Sequence, residues 1–171
     1  VIASLKNNSK DKGGMFHMQS ESINVLTALI SEHAKLPSFG SDYAAGADLY
    51  ACIDPNTVVE IEPGETAKIS VGIKTEIPKG YAGFVFARSG LSTKRDLAPA
   101  NKVGVIDSDY RGEWFVPLHN HGSNTQKVYN GDRIAQVIIM PVPKVSFDAV
   151  SLERLSDTDR GQGGFGSTGT N

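Results

Sequence analysis

Cysteine is nearly absent: Cys52 is the one cysteine in 171 residues. A single thiol excludes an internal disulfide framework and a cysteine-built zinc site, fits a reducing compartment, and leaves small core filler as the expected role of Cys52. Charge of one sign is also missing. The formal net charge is −2 and the pI is near 6.1, which argues against a nucleic-acid duplex as partner, although a small anionic ligand needs only two or three well-placed cations. No apolar run approaches the roughly 18 residues that span a bilayer, so no membrane partner is expected, and the N-terminus lacks the apolar stretch of a secretion signal. The expected location is therefore cytoplasmic, or nuclear or organellar in a eukaryote. Helical periodicity is missing too: from Tyr43 to Val150 no 3.6-residue pattern persists beyond two turns, and there are no internal repeats.

What is present, 39% hydrophobic and 21% charged residues, suits one globular domain with a polar appendage. Residues 1–22 are polar and glycine-rich and read as a disordered leader or a remnant of expression; residues 23–155 read as one β domain; residues 156–171 read as a flexible glycine-rich tail. Short apolar or alternating runs predict strands over Ile23–Ile30, Ala47–Ala51, Val58–Ile61, Thr66–Ile73, Tyr81–Ala87, Val103–Ile106, Trp114–Asn120, Lys127–Tyr129, Ile134–Met140 and Val145–Ala149. Leu36–Gly40 reads as a break, and turn residues such as Glu62–Glu65 and Asn130–Asp132 separate the runs. The fold class is all-β, a jelly roll or sandwich, interrupted at Ser89–Arg95, where a short helix with its N-terminus at Arg88 is expected.

The chemistry centres on Asn101–Gly112. Val103, Val105 and Ile106 read as a buried strand ending in Asp107, Asp109, Tyr110, Arg111 and Gly112. A carboxylate at a rigid strand tip is held in place for chemistry, though the segment alone equally describes a polar hairpin turn. Arg88, Ser89 and Gly90 offer a guanidinium, a hydroxyl and a close N–H to an anion, or form an ordinary strand-to-turn junction. Asp48, at the start of a strand, reads as a turn cap or a metal-related acid. Gln136 is a polar group inside an apolar strand, and it needs a partner that a ligand could provide. His119 and His121 face one side of a strand without an evident third ligand, so they read as surface histidines.

The tail contains Gly161-x-Gly163-x-x-Gly166, which matches the dinucleotide fingerprint only formally because no βαβ unit surrounds it. Its glycine N–H groups, with Arg160, Ser167 and Thr168, can still wrap phosphate oxygens, or serve only as a flexible tail. Phe165, a lone aromatic there, suits covering a flat group such as a nucleobase.

Five segments in order, Ala45–Leu49, Ala87–Leu91, Asn101–Gly112, Gly131–Gln136 and Arg160–Gly169, resemble the five motifs of the homotrimeric dUTP pyrophosphatases (dUTPases), over about residues 23–169. The resemblance implies a jelly-roll (β-clip) subunit in a homotrimer, with active sites between subunits and a mobile C-terminal tail closing over them. It implies hydrolysis of dUTP to dUMP and pyrophosphate, which limits uracil incorporation into DNA and supplies dUMP for dTMP synthesis. Asp107 would be the base that activates water. Mg²⁺ would be held mainly by the triphosphate, with Asp48 reaching it through water. Arg88, Ser89 and Gly90 would hold phosphates, Gln136 would hydrogen-bond there or position water, and Asn101 with the backbone of Val105, Ile106 and Asp107 would read uracil. Tyr110 would pack on the deoxyribose beside Phe115, while Arg160, Gly166 and Ser167 clamp the γ-phosphate and Phe165 stacks on the base. Two alternatives remain open at this level: a dCTP deaminase of the same fold, and a nucleotide-binding regulator with a protein partner.

Overall fold

A computed structural model describes residues 22–164. Among them the strands are β1 (Leu26–Leu29), β2 (Ser38–Phe39), β3 (Ala47–Tyr50), β4 (Val59–Ile61), β5 (Thr66–Ser70), β6 (Ile73–Glu76), β7 (Tyr81–Phe86), β8 (Leu97–Pro99), β9 (Gly104–Ile106), β10 (Phe115–Asn120), β11 (Gln126–Val128) and β12 (Arg133–Pro141). A helix, α1 (Ser89–Arg95), lies between β7 and β8, and a single 3-10 turn covers Leu152–Arg154. The chain divides into two compact units after Pro141. All regular strands belong to the first.

That unit is built from antiparallel pairs. A five-stranded sheet runs β2-β3-β12-β7-β9, a three-stranded sheet runs β5-β10-β8, and two ribbons pair β1 with β6 and β4 with β11. The core between them holds Leu49, Ile61, Ile69, Ile73, Leu97, Leu118 and Ile134, each at most 1% exposed. The alternation of apolar and polar residues explains how a strand joins it: in β10, Val116, Leu118 and Asn120 are buried while Phe115, Pro117 and His119 face outward.

The all-β reading holds, with four differences in detail. The expected strand Thr66–Ile73 is two strands, because Gly72 sits at φ +70° and a Cβ there would lie 2.5 Å from Cys52 Sγ and 2.8 Å from Ala34 Cβ. The left-handed backbone turns the chain between β5 and β6, and Cys52 fills the space as a buried thiol. Ser38–Phe39, read as a break, adds a two-residue edge strand to β3. Leu97–Pro99 was not expected as a strand; it starts directly after Asp96, whose φ of 52° caps α1, and pairs with β10. Val145–Ala149 carries no ladder at all. Val145 and Phe147 are 62% and 95% exposed, and a short strand without a paired edge gains too little to form.

Among the described residues, the polar Asn120 is fully buried. Asn120 Nδ2 donates to the carbonyls of Ile61 and Asn124, both at 2.8 Å, and its Oδ1 accepts from Gly122 N–H at 3.0 Å. The side chain therefore ties the turn after β10 to β4, with every polar atom partnered. Asn120→Ala leaves that buried carbonyl and N–H unpaired and is expected to lower the unfolding free energy by roughly 2–3 kcal/mol in urea denaturation at fixed protein concentration; a loss below about 0.5 kcal/mol would show the network to be incidental.

Candidate active site

Strand β9 pairs with β7 through Gly83↔Ile106, Phe84↔Val105 and Val85↔Gly104, and the ladder ends at Ile106. Asp107 follows immediately and opens a tight turn, closed by Tyr110 N–H donating to Asp107 C=O at 3.1 Å. A tight turn at the strand tip thus places the acid, but the strand is not the buried one expected: Val103 and Val105 are 39% and 58% exposed, because β9 is an edge strand. Asp107 is exposed and shares a cleft of about 350 Å³ with Ile106, Tyr110, Phe115 and Lys68. An adjoining slot of about 100 Å³ is lined by Asn101, Gly104, Val105, Ile106 and Phe115. Six of the expected site residues, Asn101, Val105, Ile106, Asp107, Tyr110 and Phe115, therefore meet around one pair of openings.

Tyr110 is folded back over its own loop. Its O–H donates to Glu113 C=O at 2.9 Å, and a Cβ on Gly112 would come within 2.3–2.7 Å of the phenol. Glycine is required at 112 by this close approach. Across the cleft, Lys68 Nζ stands 3.8 Å above the centre of the Phe115 ring, a cation–π contact that brings positive charge to the mouth.

A second group lies on the neighbouring strands. Gln136 is in register with Asp48 on β3 and with Phe86 on β7. Asp48, with a side chain only 13% exposed, accepts from Arg88 Nε at 2.6 Å on one oxygen and from Arg133 Nη1 at 3.2 Å on the other. Gln136 Nε2 donates to Ala87 C=O at 2.9 Å, so the partner sought for this polar group is backbone. The expected short helix is present, with Arg88 as the N-cap of α1, and Ser89 and Gly90 form its exposed first turn. The first N–H groups of any helix have no intrahelical partner, which leaves these two free for an acceptor.

The two groups do not meet in one chain. Ile106, beside Asp107, is level with Gly83, whereas Gln136 is level with Phe86. Three residues along β7 amount to about 10 Å, and neither cleft at Asp107 is lined by Asp48, Arg88 or Gln136.

In the second unit, Arg160 Nε donates to Gly163 C=O at 2.8 Å, so the start of the tail is locally turned. Phe165, Gly166 and Ser167 lie outside the described residues. His119 Nδ1 is 2.9 Å from Thr66 Oγ1 and its ring stacks edge-on to that of His121 at 4.4 Å. Among the described residues no three acidic, histidine or cysteine side chains group to hold a metal ion, and no helix is long and apolar enough to cross a membrane.

Three residues at the site were not singled out from the sequence: Lys68, Glu113 and Arg133. Lys68 reaches the cleft because β5 pairs with β10, which no local pattern announces, whereas Glu113 is there because it follows Tyr110 by three residues in the same loop. Arg133 stood inside the quoted Gly131–Gln136 segment and its charge was the available signal.

The dUTPase family model matches residues 32–169. A deoxyuridine 5′-triphosphate nucleotidohydrolase of Desulfitobacterium hafniense is 46% identical over 153 residues, covering 89% of this chain and 99% of that protein. One from Anaplasma marginale is 44% identical, over 79% and 89% of the two chains. Among solved structures, the dUTPase of Staphylococcus bacteriophage 80alpha with dUpNHpp superposes with a TM-score of 0.76 at 27% identity, over 85% of this chain and 98% of that one. A variant of the phage phi11 dUTPase of S. aureus, described for its coordination of a structural Mg(II) ion, gives 0.67 at 25%, over 74% and 96%. A match of this extent to the family model, joined to relatives of that identity along nearly their whole length, means that the chain belongs to the dUTPase family.

Proposed function

We infer that this dUTPase hydrolyses dUTP to dUMP and pyrophosphate, removing a precursor of uracil in DNA and supplying dUMP for dTMP synthesis. The observation that carries the reading beyond family membership is the placement of Asp107 and Tyr110 in one cleft, beside a slot sized for a single small ring. Asp107 takes a proton from water as the water oxygen attacks the α-phosphorus; the bond from that phosphorus to the bridging oxygen breaks, and pyrophosphate leaves with the electron pair. Asn101 and the backbone of Val105–Asp107 pair with the uracil edge, and the narrow slot rejects a 5-methyl group. Tyr110 stands against the deoxyribose with Phe115 beside it.

Arg88, Ser89, Gly90 and Gln136 form the phosphate grip. A cation and first-turn N–H groups suit phosphate oxygens, and the Asp48 carboxylate holds the Arg88 guanidinium in place beforehand. Magnesium fits as an ion carried by the triphosphate. Both Asp48 oxygens already accept from arginines, so this carboxylate would reach such an ion through water. When bound, the ion offsets charge on the departing pyrophosphate.

Because one chain keeps Asp107 and the grip apart, a complete site takes them from different copies in a homotrimer. Arg160, Gly166 and Ser167 of the tail clamp the γ-phosphate, and Phe165 stacks on the base. The exposed residues Ile23, Leu26, Leu36 and Phe39 line one apolar groove, and such a contiguous patch supports assembly.

A pyrophosphate-release assay with magnesium over dUTP, dTTP, dCTP and UTP tests the reading: dUTP alone is expected to turn over efficiently, and release of ammonia from dCTP would favour a deaminase. Asp107→Asn is expected to lower kcat by on the order of 10²–10⁴ while dUTP still binds; undiminished turnover would remove Asp107 from its role. Deleting residues 160–171 should leave the assembly folded and cost most of the activity. Wild-type rates after that deletion would show that the tail takes no part in closing the site.

A further inference from the structure

Rejecting a 2′-hydroxyl requires a wall that does not yield, and the contacts that orient Tyr110 lie within its own loop. Its O–H goes to Glu113, its N–H to Asp107, and its ring passes over Gly112. A loop held only to itself moves as one body. Four contacts tie it to the strands beneath: Val71 N–H donates to Trp114 C=O at 3.0 Å, exposed Arg111 Nη2 lies 3.8 Å from Glu76 Oε1, and two more involve Trp114 N–H and Glu113. Trp114 N–H donates to Ile73 C=O at 3.0 Å, and the Glu113 carboxylate accepts from the hydroxyl of Ser70, the last residue of β5. Ser70 Oγ also accepts from Gly72 N–H at 3.0 Å, so its single proton is left to point at Glu113. Both partners are part-buried, which shields this charge-assisted bond from water.

We propose that the Ser70–Glu113 pair sets the sugar specificity of the site by holding the Tyr110 loop against the sheet; the proposal rests on Tyr110 being the wall beside the deoxyribose. Glu113 touches neither substrate nor the reacting atoms in this account and is a positioning residue. Its carbonyl takes the phenol proton and its carboxylate takes the Ser70 proton, so one residue links ring to core. Released from Ser70, the loop keeps only the Trp114 backbone pair at its end and the exposed Arg111–Glu76 contact, and a shift of about an ångström at the ring is enough to admit a ribose.

The test measures kcat/KM for dUTP and UTP in the full-length wild type and in Ser70→Ala, Glu113→Ala, Glu113→Gln and Tyr110→Ala. Ser70→Ala and Glu113→Ala are expected to raise the UTP/dUTP ratio roughly tenfold, the effect of losing one charge-assisted bond. Glu113→Gln, whose amide oxygen still accepts from Ser70, should keep the wild-type ratio. A purely structural role would lower the melting temperature and slow both nucleotides equally, leaving the ratio unmoved. If Tyr110→Ala raises the ratio while Ser70→Ala leaves it at the wild-type value, the proposal is overturned and the reading of Tyr110 stands. Failure of Tyr110→Ala to raise it overturns both. Should Glu113→Ala not fold, Ser70→Ala decides alone.

Discussion

Strand β7 pairs along both edges, with β12 on one side and β9 on the other, and those two registers set how far Asp107 lies from Gln136 along it. The β9 ladder stops opposite Gly83, so Asp107 leaves the sheet there. The β12 ladder puts Gln136 opposite Phe86, and the chain then runs through Ala87 into Arg88. Hydrogen-bonded strands do not slide, because a one-residue slip turns every inward side chain outward. The offset of about 10 Å along β7 is therefore a fixed property of the subunit.

Charge is handled differently at the two ends. Around Asp48 two guanidinium groups share one mostly buried carboxylate, leaving a local excess of positive charge that a polyphosphate can satisfy. Burying such a cluster is not a reliable source of stability, and its value lies in presenting Arg88 already oriented. At Asp107 the carboxylate is exposed, with an aromatic wall on one side and Lys68 across the cleft. An anion attracted to either end meets cations first, and the acid stands where water can reach it.

Much of this was legible in the chain itself, for identifiable reasons. The alternation over Phe115–Asn120 and the abrupt polar turn after Ile106 follow from period-two burial and from turn chemistry, both local properties. Thr66–Ile73 looked continuous because hydrophobicity alone does not reveal that Gly72 is left-handed. The pairing of Ser38–Phe39 is too short to produce a period, and Val145–Ala149 has the right residues for a strand without an edge to join among those described. At the site, Arg88, Asp48 and Gln136 were visible as polar groups in apolar settings, but their bonding to one another's strands was not. Lys68 escaped notice because only the pairing of β5 with β10 brings it to the cleft, and Glu113 because nothing local marks its carboxylate as reaching Ser70.

If a working site draws Asp107 from one subunit and Arg88 from another, two defective chains can repair each other. The decisive measurement is the dUTP turnover of trimers assembled from co-expressed Asp107→Asn and Arg88→Ala chains, each nearly inactive on its own. Shared sites predict clear recovery of activity in the mixture, at those positions where an intact acid faces an intact arginine. A mixture as inactive as either parent, with mixed assembly verified by mass, would contradict the account.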